Sequence, residues 1–156
     1  MDVKFINPFL ESVTNVLATM AQTESKARKP ILKKSTIALG DVTGIIGMSG
    51  EQVKGSFAIS FSKEVILAIY QRMLMEEAAS INSDCIDMVG ELTNIATGGA
   101  KNLLAEKGYE FELATPVVVS GGGHQIDHMS KGPTILIPFT SDVGDFFIEV
   151  SFEAVT

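Results

Sequence analysis

Asp87, Glu91 and Asn94 stand at helical spacing in the run Asp87-Met88-Val89-Gly90-Glu91-Leu92-Thr93-Asn94. At about 100° per residue, the three side chains fall within about 60° of one another on one helical face. Two carboxylates and a carboxamide arranged in this way can position a water molecule or grip a partner's cation. No His, Lys or Ser nucleophile lies beside them in sequence.

The stripe extends from Asp84 through Asp87, Glu91 and Asn94 to Gly98. It ends at a residue without a side chain, where a partner can reach the backbone beside Asn94. Gly90, Gly98 and Gly99 each cost about 0.5–1 kcal/mol relative to alanine inside a helix, so something should compensate for them. Two readings of these residues stand side by side. In one, the glycines permit close packing on a sheet and the charges are a solvated face. In the other, the stripe is a site. Carboxylates at i and i+4 without histidine would make at best a weak oxygen site for a hard cation.

The elements that must position this stripe follow from patterning. Asn7-Pro8 reads as an N-cap and first helical residue, followed by Phe9, Val13, Val16, Leu17 and Met20 at helical period, so a helix is expected over about 8–21. The polar segment Gln22–Pro30 is expected to be a loop. Three β-rich runs follow from Ile31 to Phe61, punctuated by Gly40-Asp41 and Ser49-Gly50-Glu51. In the third run, Phe57, Ile59 and Phe61 alternate with Ser56, Ala58 and Ser60, predicting one well-buried face and a lightly covered one.

Ser62 can cap a short helix, and the Asn82-Ser83-Asp84 cluster a long one that stops at Lys107-Gly108. On the long helix Cys85, Met88, Leu92, Ile95, Ala96, Gly99 and Leu103 form the stripe expected to be buried. Strands are expected over Phe111–Val119, Thr134–Phe139 and Phe146–Phe152, with Pro116 and Pro138 favouring edge or end positions. The result is an α/β (α+β layered) domain, helix-βββ-helix-helix-βββ, with a six-stranded, largely antiparallel sheet covered by long helices. The order hints at a duplicated helix-plus-meander unit, although the residues show no fixed-period repeat.

Composition narrows the functional classes. The 156 residues suit one domain, and 46% hydrophobic with 20% charged residues is ordinary globular usage. A net charge of −7 repels phosphate backbones and anionic lipid heads, which argues against nucleic-acid and membrane binding. The one cysteine, Cys85, cannot form an internal disulfide, pointing to a reducing cytoplasm; beside Met88 on the core stripe, it reads as an inert buried thiol. The longest apolar runs, such as Thr134–Phe139, are too short to span a bilayer.

The motif Asp87-x-x-x-Glu91-x-x-Asn94, followed by Ile95 and Gly98-Gly99-Ala100 on a long helix, resembles the signature of the CheC/CheX/FliY family of chemotaxis phosphatases. The CheX branch is the nearer match. Asn7-Pro8-Phe9 through Asn15-Val16-Leu17-Ala18-Thr19-Met20 is similar to that branch's first helix, and the element order matches its CheC-like fold. The resemblance covers nearly the whole chain.

It implies hydrolysis of the aspartyl phosphate of a CheY-type response regulator. Asn94 would orient the attacking water, Glu91 would pair with the regulator's active-site lysine, and Asp87 would support the contact at its rim. A carboxamide suits its role because it donates and accepts hydrogen bonds while staying neutral beside a highly charged phosphoryl group. The resemblance further implies Mg²⁺ supplied by the regulator, no cofactor or metal of the chain's own, and a homodimer through strand edges. The rival is a non-catalytic module that binds a receiver domain or serves as a signalling scaffold.

Some family members carry two copies of the motif. Here the first helix offers Glu11-x-x-x-Asn15, whose amide falls about 100° away from the motif's position, so one working site is expected. His124, Asp127 and His128 lie in the glycine-rich segment Ser120–His128, which reads as a mobile hairpin loop rather than a metal site. That segment also lacks the Gly-Lys-Ser/Thr ending of a P-loop.

Overall fold

The large–small alternation along Val53–Phe61 makes a strand, and this strand becomes one of the two central ones. The computed structural model describes residues 3–128 and 130–155. Its elements are α1 (Val3–Met20), β1 (Ser25–Ala27), β2 (Ile31–Lys33), β3 (Val42–Ser49), β4 (Val53–Phe61), α2 (Lys63–Leu74), α3 (Ser83–Ala105), β5 (Glu112–Leu113), β6 (Val117–Ser120), β7 (Thr134–Ser141) and β8 (Phe146–Ala154). The sheet order is β1-β7-β8-β4-β3-β5, with β2 also on β7 and β6 also on β3, and every pair is antiparallel. Eight segments therefore fill six ranks, because each outermost rank is broken in two.

Proline accounts for the breaks. The strand expected over Phe111–Val119 is two, β5 and β6, and Pro116 in the interruption has no N–H for a ladder. On the other edge, Pro138 of β7 faces the gap between β1 and β2, since Ala27 pairs with Phe139 and Ile31 with Leu136. Its carbonyl accepts from Arg28 N at 2.7 Å inside that gap. The polar segment expected to be a loop thus contributes β1, held through backbone pairing.

On one face of the sheet, α1 brings Phe9 onto Phe57 of β4 with ring centroids 5.4 Å apart, and Phe5 edge-on to Phe152 of β8 at 4.0 Å. These contacts explain why α1 reaches back among the described residues to Val3, past the expected start at Pro8, which lies inside the helix. Burial of Phe5 and Ile6 outweighs the one N–H that Pro8 removes near the helix start.

The second sheet face is buried too, contrary to the light cover expected. Ser56, Ala58, Ser60 and Thr43 are each 1% exposed. The chain around Thr36–Ala38 pairs with His124–Ile126 across this face, through Ile126 N to Thr36 O at 2.7 Å and Ala38 N to His124 O at 2.9 Å. The pairing seats Ala38 and Ile126 on Ala58, with Ile45 alongside, as a second small core.

Beside that core lies a buried polar cluster. Lys33 Nζ donates to Glu149 Oε2 at 2.6 Å, and His128 Nε2 meets Glu149 Oε1 at 3.0 Å. The other ring nitrogen of His128 hydrogen-bonds Ser56 Oγ. All three charged or titratable side chains are at most 6% exposed. His124 is anchored as well, Nε2 to Thr43 Oγ1 at 2.7 Å and Nδ1 to Gly121 O at 2.6 Å. The segment Ser120–His128 is therefore anchored to the sheet rather than a free hairpin, because its histidines meet Thr43 of β3 and Ser56 of β4, buried hydroxyl side chains of the second face. Among the described residues no group of three or more His, Cys, Asp or Glu side chains is arranged to hold a metal. None of the described helices is long and apolar enough to cross a membrane.

Candidate functional site

The site is built on α3, whose start and stop are chemically marked. Asn82 caps it, its side-chain oxygen accepting from Cys85 N at 2.9 Å. The helix ends at Ala105, two residues before the expected Lys107-Gly108. The N–H groups of Lys107 and Tyr109 both reach Leu104 O at 3.0 Å, and Gly108 between them takes a φ of +90° that favours glycine.

The buried arc of α3 is wider than the stripe anticipated. Cys85, Met88, Leu92 and Ala96 are buried as expected, but Ile95, Gly99 and Leu103 are only half-buried. Val89, Thr93, Thr97, Ala100 and Leu104 complete the arc. The cause is tertiary: α3 packs against β3 and β6 on one side and α1 on the other. Burial pushes the Cys85 thiol up from its ordinary value, and its sulfur faces the core.

Two glycines set the height and tilt of the helix. A Cβ at Gly44 of β3 would lie 3.1 Å from Thr93 Cβ and 3.3 Å from Val89 Cγ1, and would overlap Thr93 Oγ1. Thr93 is the residue before Asn94, so this absent methyl fixes how closely the motif approaches the sheet. A Cβ at Gly99 would overlap Ser12 Oγ of α1, and Ser12 Oγ donates to Ala96 O at 2.6 Å. Close packing thus compensates for Gly99, though against α1 rather than the sheet. Gly98 has no such role, since a Cβ there would meet nothing within 4 Å.

Asp87, Glu91 and Asn94 are exposed on the opposite side of α3. Among the described residues none of the three spends its side chain on a hydrogen bond or ion pair within the chain. They line one wall of an open groove of about 520 Å³, with Gly90 at its floor. The other wall is the β5–β6 junction, Leu113 to Pro116, with Val118. A Cβ at Gly90 would lie 3.4 Å from Val118 Cγ2, so the missing side chain keeps the groove open down to β6. The second wall comes from residues distant in sequence, paired to β3 at Met48–Leu113 and Ile45–Val117; the helix motif carries no signal of it.

Glu11 and Asn15 are exposed on α1 and do not contribute to this groove. Asp84, in the first turn, is also exposed, and it continues the acidic stripe towards the helix N-terminus. The arrangement offers no nucleophile and no metal cage. It offers unspent carboxylates and one neutral amide at the mouth of a shallow cleft, fit to orient a water or hold a cation that a partner brings.

Comparison with known proteins places the whole chain among similar sequences and structures. Residues 42–140 match the family model described as chemotaxis phosphatase CheX. A CheC-like superfamily protein from Shewanella sp. PV-4 is 56% identical over 98% of this chain and 99% of its own, with a TM-score of 0.92. Chemotaxis protein CheX from Vibrio vulnificus is 53% identical over 97% of this chain and 100% of its own, with a TM-score of 0.90. More distant is the CheX in a CheX–CheY–BeF₃–Mg²⁺ complex from Borrelia burgdorferi, 25% identical over 97% of this chain and 99% of its own, at a TM-score of 0.79. A search of curated proteins returned no match.

Proposed function

The chain belongs to the CheX family of chemotaxis phosphatases, and from there we propose that it accelerates hydrolysis of the aspartyl phosphate of a CheY-type response regulator. The observation that carries the proposal is the groove wall of Asp87, Glu91 and Asn94, exposed, unspent within the chain and open to a docking surface. The Borrelia burgdorferi relative was captured with CheY, BeF₃ and Mg²⁺, a partner set that supports a receiver domain as the occupant of the groove. On this reading Mg²⁺ belongs to the regulator.

The division of labour follows from phosphoryl-transfer chemistry. The transition state is loose, and its charge is met by the regulator's own metal and cations, so the missing contribution is an in-line water. Asn94 orients that water with its carboxamide. The water oxygen bonds to phosphorus as the P–O bond to the regulator's aspartate breaks, releasing inorganic phosphate and a free carboxylate. Glu91 pairs with the regulator's active-site lysine and sets the depth of entry. Asp87 supports the cationic contact at the rim, and Gly98 leaves the backbone beyond Asn94 open to the partner.

On this reading the first helix supplies no second site, because Asn15 follows Glu11 by four residues rather than three and is turned about 100° round the helix from the motif's amide position. Action in the cytoplasm follows from the class of partner. A homodimer is part of the same proposal. The β5–β6 edge forms the groove wall, which leaves the β1–β2 edge for a second copy, and Ile31 and Leu32 there are 50% and 55% exposed.

The test follows decay of a phosphorylated receiver domain, over a panel of regulators, with wild type, Glu91→Ala and Asn94→Ala. Wild type should accelerate decay. Asn94→Ala should lose about 100-fold of that acceleration, the scale of a mispositioned reactant. A wild-type chain that accelerates none of the panel leaves the binding-module alternative, and Asn15→Ala abolishing activity while Asn94→Ala spares it would relocate the site.

A further inference from the structure

The β5–β6 junction is unusual in how firmly it is held for an exposed turn. On its near side Ala114 N donates to Gly47 O at 2.9 Å, next to the Met48–Leu113 pair. On its far side Val117 and Val118 pair with Ile45 and Gly44 of β3. Between these anchors Pro116 fixes its own φ and restricts Thr115 before it. Ala114 and Thr115 are nonetheless exposed, and Pro116 is half-exposed. The result is a rigid arch standing across the groove from Glu91 and Asn94.

We infer that the Ala114-Thr115-Pro116 arch is a specificity-determining contact for the regulator, touching the receiver-domain surface beside its phosphorylated aspartate. The inference rests on the proposed phosphatase reading and extends it to a wall that the helix motif does not contain. One wall of the groove is acidic, through Asp87 and Glu91, and the other is largely apolar, through Pro116 and Val118. The complementary occupant presents a cation to the first wall and aliphatic surface to the second, and a receiver domain presenting its active-site lysine meets the first demand. Because the groove is bounded by both walls, a segment entering it to meet Asn94 lies against the arch as well. A rigid apolar lip costs little ordering entropy on docking, which favours selection among partners by shape.

Contacts made equally with substrate and transition state alter KM and spare kcat, and that split is the signature of the arch. Thr115→Arg places a bulky cation over the groove against the regulator's lysine. It should raise KM for a phosphorylated receiver domain, and the Kd for the same domain loaded with beryllofluoride, by at least about tenfold while leaving kcat within about twofold. An unchanged melting temperature for Thr115→Arg checks the fold. An active wild type with KM and Kd unaffected by Thr115→Arg overturns the arch and leaves the phosphatase reading standing. A fall in kcat at constant KM also overturns it, since the arch would then act on the chemistry. A wild type inactive on every receiver domain, yet binding the beryllofluoride-loaded form with Thr115→Arg weakening it, refutes the phosphatase reading and retains the arch.

Discussion

Adding one methyl group at Gly44 should disable the site from beneath without touching any groove residue. The new carbon would lie 3.1 Å from Thr93 Cβ and 3.3 Å from Val89 Cγ1, and would overlap Thr93 Oγ1. Carbon contacts are comfortable at about 3.5–4.0 Å, and Thr93 is buried, β-branched and bonded through Oγ1 to Val89 O at 2.7 Å, so it has little freedom to swing away. The helix must retreat by about 1 Å. Overpacking of this kind costs about 1–3 kcal/mol, which in a chain of this length lowers Tm by about 2–4 °C per kcal/mol. Glycine-to-alanine replacement also stiffens the unfolded chain, worth about 0.4–1 kcal/mol in the opposite direction, so the measured loss is a lower bound on the clash.

The functional loss should exceed the loss of stability. A 1 Å displacement of Asn94 relative to the docked regulator is worth about 100-fold in rate. Thermal unfolding of Gly44→Ala, paired with the receiver-dephosphorylation assay well below Tm, separates the two effects. Thr93→Ala removes the overlapping oxygen, so the double variant should recover at least about 1 kcal/mol relative to the sum of the singles, together with most of the lost rate. A Gly44→Ala protein with wild-type Tm and rate, or a loss that Thr93→Ala does not relieve, would refute the idea that this contact sets the position of the motif.

Three further outcomes follow from the second face, the core and a surface ion pair. Lys33→Met leaves the buried Glu149 with His128 as its remaining partner and should cost up to about 3–5 kcal/mol in urea unfolding, whereas Lys33→Met with Glu149→Leu should recover part of that loss. Cys85, fully buried and with its thiol pushed up by burial, should stay unmodified by Ellman's reagent in the native protein and react at the rate of global unfolding in denaturant. Asp142 is held below the usual carboxylate range, first by its hydrogen bond from Arg72. Its contribution to stability is therefore present above that range and disappears as pH falls through the lowered value. Asp142→Asn should flatten the acid limb of Tm against pH while leaving the dependence near neutrality unchanged.

Features with a local cause were legible in the sequence. Ser62 and Asn82 cap their helices with their own side chains, and β4 and β8 declare themselves by alternation, because the signal and the structure occupy the same few residues. The Asp87–Asn94 face was likewise readable, since helical spacing alone decides which side chains share it. What was not legible depends on distant pairing. Ser25–Ala27 becomes a strand only because β7 offers it backbone partners, and no alternation marks it. Helix α1 runs back past Pro8 because Phe5 and Ile6 find Phe152, Phe111 and neighbouring core at the far end of the chain. The histidines of the glycine-rich segment read as loop residues until Thr43, Ser56 and Glu149 are seen beneath them. The groove's second wall needed the register of β5 and β6 on β3, which no window of sequence contains.

The position of β8 also constrains when the sheet beneath α1 closes. This final strand lies between β4 and β7, pairing along its whole length with β4 from Phe61–Phe146 to Val53–Ala154. Phe152 at its far end also receives Phe5 and Phe9 of α1. During synthesis, the residues of α3 emerge well before the strand that closes the layer beneath α1. Until β8 arrives, the nascent chain holds an open edge at β4 and an α1 without its aromatic seat. Such non-local closure belongs to the slower folding topologies and exposes strand edges meanwhile. The layer beneath α1 is thus completed only once β8 has paired with β4, and its completion can be timed by when a stalled nascent chain of increasing length first protects Phe57 and Phe61.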